Sequence, residues 1–343
     1  MRIAYLSGAY VPSRGANSMH VMRMCQAMAQ LGHEVTLHVR PGDAEAPGGD
    51  HAFYGVEPVF SIAKHPRPAI RGIGAAINAL RARRALAAGP APDLLYAREV
   101  WALALATSLG IPFVFESHWA PRDAAHRLVE KAILRHPGLR RVVLISEALR
   151  QIYLREFPWL DPGVLLVAHD AADPQPRSEG GARSGRPGAL QVGYVGSFQP
   201  GCGIELVIEL ARRSPEDDFH VFGGSADEVS RWSGRAGDIA NLTFHGFVVP
   251  RELHRAYASL DVVLAPYDTA VRSLAWMSPM KLFEYMAHGK AILCSDIPVL
   301  REILHHGETA LLVEPARPSA WASALARLRE SEAERRRLGE AAR

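Results

Sequence analysis

The residues best placed for chemistry lie in one stretch, Ser278-Pro279-Met280-Lys281-Leu282-Phe283-Glu284-Tyr285-Met286-Ala287-His288-Gly289. Ser278 suits a helix N-cap, Pro279 the first helical position and Gly289 the residue that closes the helix. Met280, Phe283 and Ala287 would form the apolar face, with Lys281 and Glu284 as neighbours on another. A lysine in the first turn opposes the helix dipole, at a cost of up to about 1 kcal/mol. A phosphate bound at that end reverses the argument, because the first-turn amides and the ammonium then act on it together. A plain Lys–Glu surface pair explains the same spacing, so the stretch alone leaves both readings open. Arg98-Glu99, directly behind an apolar run, is placed to face a second substrate. Gly223-Gly224-Ser225 lacks the rest of a dinucleotide fingerprint and reads as a strand-to-helix turn.

The elements that must carry these residues follow a regular alternation. Arg2–Leu6 reads as a strand and Gly8–Asn17 as a loop. Ser18 then caps a helix from Met19 to about Leu31 that ends at Gly32, with Met22, Cys25 and Leu31 on one face. Val35–Val39, Leu94–Tyr96, Pro112–Phe115 and Val142–Ile145 are further strands, each followed by a polar, helical segment. Residues 170–188, DAADPQPRSEGGARSGRPG, break the pattern with a composition that cannot bury a core. Alternation then restarts. Leu190–Val195, Phe219–Phe222, Leu242–Phe244, Val262–Ala265, Ala291–Cys294 and Ala310–Val313 are strands, and Ile204–Arg213 is a helix. The expected fold is α/β, with two Rossmann-like βαβ domains, residues 1–170 and 189–343, joined by a linker or mobile loop at 171–188. Their parallel sheets are expected to face a shared interdomain cleft.

Composition narrows the function. The 343 residues are 48% apolar and 22% charged, the balance of a water-soluble globular chain. A net charge of +3 gives no footprint for nucleic-acid binding. Cys25, Cys202 and Cys294 are far apart and odd in number, which excludes a disulfide framework and a structural zinc site. The first apolar run is too short for a signal-peptide core, so the expected setting is cytoplasmic. Lys64, Arg67, Arg71, Arg81, Arg83 and Arg84, interleaved with Ile70, Ile73, Ile77 and Leu80, give segment 64–84 two readings. It is either a peripheral contact with the inner membrane face or a packed helix with a solvated basic side.

At residues 278–315 the sequence becomes recognisable. SPMKLFEYMAHGKAILCSDIPVLREILHHGETALLVEP resembles the C-terminal signature of family 4 retaining glycosyltransferases, which have the GT-B fold. It is the Ser-Pro-x-Lys-Leu-x-Glu branch that it resembles. Tyr194–Phe198 with Gly201-Cys202-Gly203, and Phe244–Val248, look like the family's nucleotide-sugar loops. Gly15–Ser18, Glu116-Ser117-His118 and Ile145-Ser146-Glu147 stand where its N-terminal motifs stand.

The resemblance implies roles. Glu284 would bind the donor's ribose hydroxyls. Lys281, with Ser278, Pro279 and Met280 at the helix start, would hold the diphosphate, and Gly15 would approach it closely. His118 would contact the transferred sugar. Gly196, Ser197, Phe198 and Phe247 would line the donor pocket, while Arg98 and Glu99 would face the acceptor. The chain departs from the common pattern in three places. Trp276 replaces a glutamate, and Ser197 and Cys202 replace the arginine and lysine that clamp the phosphates. Lys281 is expected to supply the missing charge.

The function so implied is a metal-independent retaining hexosyl- or N-acetylhexosaminyltransferase. It would use no cofactor besides its nucleotide-diphosphate sugar donor, and its acceptor would be a glycan, a lipid-linked molecule or a small molecule. The absence of an Asp-x-Asp motif agrees with a phosphate site compensated by protein groups. The rivals are a nucleotide-sugar epimerase or hydrolase and a non-catalytic module that binds a nucleotide or a partner.

Overall fold

A computed structural model describes residues 1–66, 74–175 and 185–343. The chain divides into two compact units, Met1–His169 and Asp170–Arg343. The first holds β1 (Arg2–Val11), β2 (Glu34–Pro41), β3 (Ser61–Lys64), β4 (Leu94–Ala97), β5 (Phe113–Ser117), β6 (Leu139–Leu144) and β7 (Leu165–Val167). They form one parallel sheet in the order β3-β2-β1-β4-β5-β6-β7. The second holds β8 (Gln191–Val195), β9 (Asp218–Phe222), β10 (Leu242–Gly246), β11 (Val262–Ala265), β12 (Ala291–Ser295) and β13 (Leu311–Val313). Its parallel order is β10-β9-β8-β11-β12-β13. Both sheets therefore reverse their winding beside their first strand, and each has a switch point there, the place where such sheets bind ligands.

Strands β8, β9, β11 and β12 are buried at every position, because helices cover both faces of the sheet. That double cover is why they read as unbroken apolar runs. Their core is completed by Trp321, fully buried among residues of the last helices. β3 and β7 went unread. They have four and three residues and are the half-exposed edge strands of the sheet; β7 is apolar, Leu165-Leu166-Val167, but too short to stand out as a strand.

Two helix starts differ from expectation for the same reason. The first helix begins at Ala16 with Gly15 as N-cap. Ser18 does not cap it, because its hydroxyl donates to the Tyr10 carbonyl at 2.7 Å. Leu31, expected on the buried face, is 77% exposed. The helix of the recognisable segment is Met280–Ala287, with Pro279 at the cap position and no side-chain cap. Ser278 instead accepts the Asp170 amide at 2.9 Å. The buried face is Leu282 and Tyr285, not Met280, Phe283 and Ala287.

The described ends of the 171–188 segment are attached to the second unit. Gln175 accepts from Arg343, and Arg186 bonds Asp218 through its amide and its guanidinium. Residues 176–184 lie outside the described residues, as do Arg67, Ile70, Arg71 and Ile73 of the basic segment. Within that segment Lys64 ends β3 and pairs with Asp50 at 2.7 Å. The Gly74–Ala88 helix buries Asn78, Ala79, Ala82 and Leu86 and packs on the Val100–Ala106 helix, leaving Leu80, Arg81 and Arg84 exposed. The described part is thus a packed helix with a basic outer side. No helix among the described residues is long and apolar enough to cross a membrane.

Candidate functional site

In the second unit the chemistry gathers at the switch point between β8 and β11. Tyr285 fixes the Met280–Ala287 helix there: its hydroxyl accepts the Val195 amide at 3.1 Å and donates to the Leu264 carbonyl at 3.1 Å. One tyrosine so ties the helix to the ends of both central strands, and Lys281 is carried to the same place. Its Nζ is buried and has no hydrogen-bond partner among the described residues. It lies 4.0 Å from the centroid of the Tyr194 ring and 5.1 Å from that of Tyr267. Two aromatic faces stabilise a cation without satisfying its donors. Burial pushes the ammonium down to about 8, against the pull of Cys202, Cys294 and Glu284. A buried ammonium with unused donors, at a helix end whose amides have no side-chain cap, is an arrangement that an anion would complete.

The loop after β8 is shaped around that lysine. A Cβ on Gly196, at φ +154, would stand 2.6 Å from Lys281 Nζ. A Cβ on Gly223 would stand 1.9 Å from the Gly196 carbonyl, so the Gly223-Gly224 turn is the floor beneath the loop. Ser197 is exposed, and its Oγ lies 3.7 Å from Cys202 Sγ. Ser197 and Cys202 are therefore neighbours in the fold, and Cys202 lies near Lys281. Phe198, expected to line the pocket, is a core residue instead. It is 4% exposed and packs on Tyr194 and Phe244, because Gly224 leaves room for its ring.

Glu284 is one turn further along the helix. Its carboxylate accepts from the Tyr257 hydroxyl at 2.7 Å, and its carbonyl bonds His288 Nδ1 at 2.7 Å. Tyr257, 1% exposed and packed at a tilt against the His288 ring, thereby fixes the rotamer of Glu284. Phe247 follows the Gly246 turn and is half-buried, as are Pro279 and Met280, whereas Ser278 is buried.

In the first unit the expected residues collect around a carboxylate that sequence reasoning did not single out. Glu116, at the end of β5, is 3% exposed on its side chain. Its Oε1 bonds His118 Nε2, lies 3.0 Å from His20 Nε2 and 3.6 Å from Arg98 Nε, and its Oε2 accepts from the Tyr5 hydroxyl at 3.1 Å. Burial pushes this carboxyl up, but Arg98 and the bonds from His118 and His20 outweigh it and hold it well below the usual carboxylate range. Glu116 is thus an anion shared by a guanidinium and two imidazoles. Its signal in the sequence was a charge at the end of the apolar run Phe113-Val114-Phe115. His20, on another element, gave none.

His20, Glu116 and His118 place one ligand atom each within 4.8 Å of one another, close enough for a metal ion. Arg98 beside the shared oxygen is a competing cation, and the contacts are those of a hydrogen-bonded network. Glu99, expected to face the acceptor, has a carboxylate that caps the Val100–Ala106 helix through the Ala102 amide, and burial raises its carboxyl. Gly15 is exposed, and a Cβ there would meet only Ser13 Oγ at 3.5 Å.

Comparison with known proteins finds two family matches along the chain. Residues 18–175 match the family model described as Glycosyltransferase Family 4, and residues 189–331 that described as Glycosyl transferases group 1. A D-inositol 3-phosphate glycosyltransferase of Corynebacterium glutamicum (strain R) is 28% identical over 241 residues, 64% of this chain and 56% of that protein. The chain thus spans little more than half the length of this curated relative. Among solved structures, a sucrose-phosphate synthase of Thermosynechococcus elongatus superposes with a TM-score of 0.72 at 20% identity, over 99% of this chain and 92% of that one. The Anabaena protein HepE, in complex with UDP and glucose, does so with a TM-score of 0.71 at 15% identity, over 100% and 93%.

Proposed function

On the premise that this is a glycosyltransferase of the family 4 type with the GT-B fold, we propose that it is a retaining enzyme working without a metal. The donor is a nucleotide-diphosphate hexose or N-acetylhexosamine bound on the second unit, and no other cofactor takes part. The acceptor hydroxyl is presented by the first unit. The observation that carries this reading is Lys281, whose buried Nζ has no partner beside Gly196 and an uncapped helix start.

In this mechanism the diphosphate lies on the first-turn amides of the Met280–Ala287 helix, with Lys281 against its oxygens. Glu284, braced by Tyr257, accepts hydrogen bonds from the ribose. The acceptor hydroxyl attacks on the face from which the diphosphate leaves, and its proton passes to the departing phosphate oxygen as that glycosidic bond breaks. Negative charge on the leaving group grows as the glycosidic bond breaks, so Lys281 stabilises the transition state more than the ground state. The ammonium does the work of the clamp missing at Ser197 and Cys202, and His118, held by Glu116, contacts the sugar. The proposed setting is cytoplasmic, and the exposed basic side of the Gly74–Ala88 helix, with Arg81 and Arg84, is the proposed contact with the inner membrane face.

A thermal-shift series with UDP, GDP, ADP and their sugars tests the reading. A ligand that binds the native state raises the melting temperature in proportion to ligand concentration over Kd. Stabilisation by one nucleotide diphosphate and its sugars is expected. No stabilisation by any of them would overturn the donor assignment.

A further inference from the structure

The strand ends of the first unit hold two guanidinium groups, each with one buried donor that meets no acceptor among the described residues. Arg98 follows β4, next to β1 at the switch point, and its side chain is only 10% exposed. Its Nε faces Glu116, yet its Nη1 is buried and meets no acceptor among the described residues. Glu116 cannot satisfy it, since Oε1 already serves His118, His20 and Arg98 Nε and Oε2 accepts from Tyr5. Glu99, the neighbouring carboxylate, is engaged as a helix cap. Arg40, at the end of β2, repeats the pattern: its charge acts on Glu99, yet its Nε is buried and meets no acceptor among the described residues. Its guanidinium lies over the Tyr10 ring and borders Gly8. Buried guanidinium donors are rarely left unmade, and a planar fork matches a carboxylate or a phosphoryl group through paired hydrogen bonds.

We propose that this edge binds an oxyanion carried by the acceptor, a carboxylate or a phosphoryl group, with Arg98 as its principal ligand. The inference rests on the proposed function only in naming the bound molecule as the acceptor. The neutral part of that molecule would then be oriented from a charged anchor, and Glu116 would keep the anchor's charge balanced when the site is empty.

Calorimetric titration of the intact protein with glucose, glucuronate and glucose 6-phosphate tests this, since the three share a ring and differ in charge. The wild type should bind at least one of the two anions ten or more times more tightly than glucose, and which one it prefers tells carboxylate from phosphoryl. Arg98→Gln should abolish that preference. Arg98→Lys keeps the charge beside Glu116 but not the fork, so it should lose several-fold in affinity with a normal melting temperature. Lys281→Met should keep the preference, because the anion site lies in the other unit. Equal binding of glucose would overturn the inference, as would a preference that survives Arg98→Gln or an unchanged affinity in Arg98→Lys. So would loss of the preference in Lys281→Met, which would send the anion to the donor end. The nucleotide thermal-shift series is read separately, so failure of the donor assignment would leave this preference measurable.

Discussion

Lys281, Glu284 and Gly196 carry the functional argument at the scale of single residues, and each makes a different prediction. Lys281→Met removes one preorganised charge from the diphosphate end, so kcat should fall by roughly 10²–10³. Donor affinity should fall less, and the melting temperature should hold or rise, because a buried ammonium without partners is lost. Steady-state kinetics beside a thermal melt checks all three. Glu284→Ala should weaken nucleotide-diphosphate binding by roughly 1–3 kcal/mol, the loss expected for charge-assisted hydrogen bonds, as read by calorimetry. Gly196→Ala should damage both binding and folding: at φ +154 a Cβ is strained and meets Lys281 Nζ at 2.6 Å. These three residues were legible in sequence because each sits in a motif of local meaning. His20 and Glu116 were not, since the carboxylate and its imidazole come from separate elements and meet only in the fold.

At the scale of elements, the Met280–Ala287 helix is the part whose position decides function. Its existence and its end at Gly289, φ +60, follow from local sequence. Its cap did not, because the Ser278 hydroxyl is drawn away to the Asp170 amide, a tertiary bond that no local pattern records. Ser18 misled for the same reason. The double-covered strands were readable as apolar runs, and the short β3 and β7 were not. Uncapped amides plus a lysine held at about 8 give this helix a pH signature. Between pH 8 and the ordinary lysine value near 10.5, the unfolded chain holds a proton that the folded chain has released. Through that window Lys281 adds stability as pH rises. Diphosphate affinity should move the other way, falling above pH 8 as the ammonium is lost. Buried cysteines and tyrosines titrate with the opposite sign nearby, so the signal is the difference between wild type and Lys281→Met. Identical pH profiles for the two proteins would remove the lysine from the site.

At the scale of the whole molecule, two parallel sheets were foreseeable from alternation alone and the family likeness from motif order, whereas the strand orders that put the switch points beside β1 and β8 came only from the fold. How charge is handled was less so. The first unit centres on one anion with a guanidinium and two imidazoles, the second on one ammonium with no anion bonded to it. Chelation separates two uses of the first cluster. Excess EDTA should leave turnover unchanged, because Arg98 already neutralises Glu116 and the diphosphate is compensated by Lys281. Loss of turnover restored by zinc or manganese would make His20, Glu116 and His118 a metal site. The central claim, retaining transfer from a nucleotide-diphosphate sugar, is tested most directly by proton NMR of the product formed from an α-linked donor in the presence of EDTA. The account predicts a new glycosidic bond whose anomeric coupling is still that of an α-linkage. A β-linked product, or tight nucleotide binding with no product from any acceptor, would contradict it.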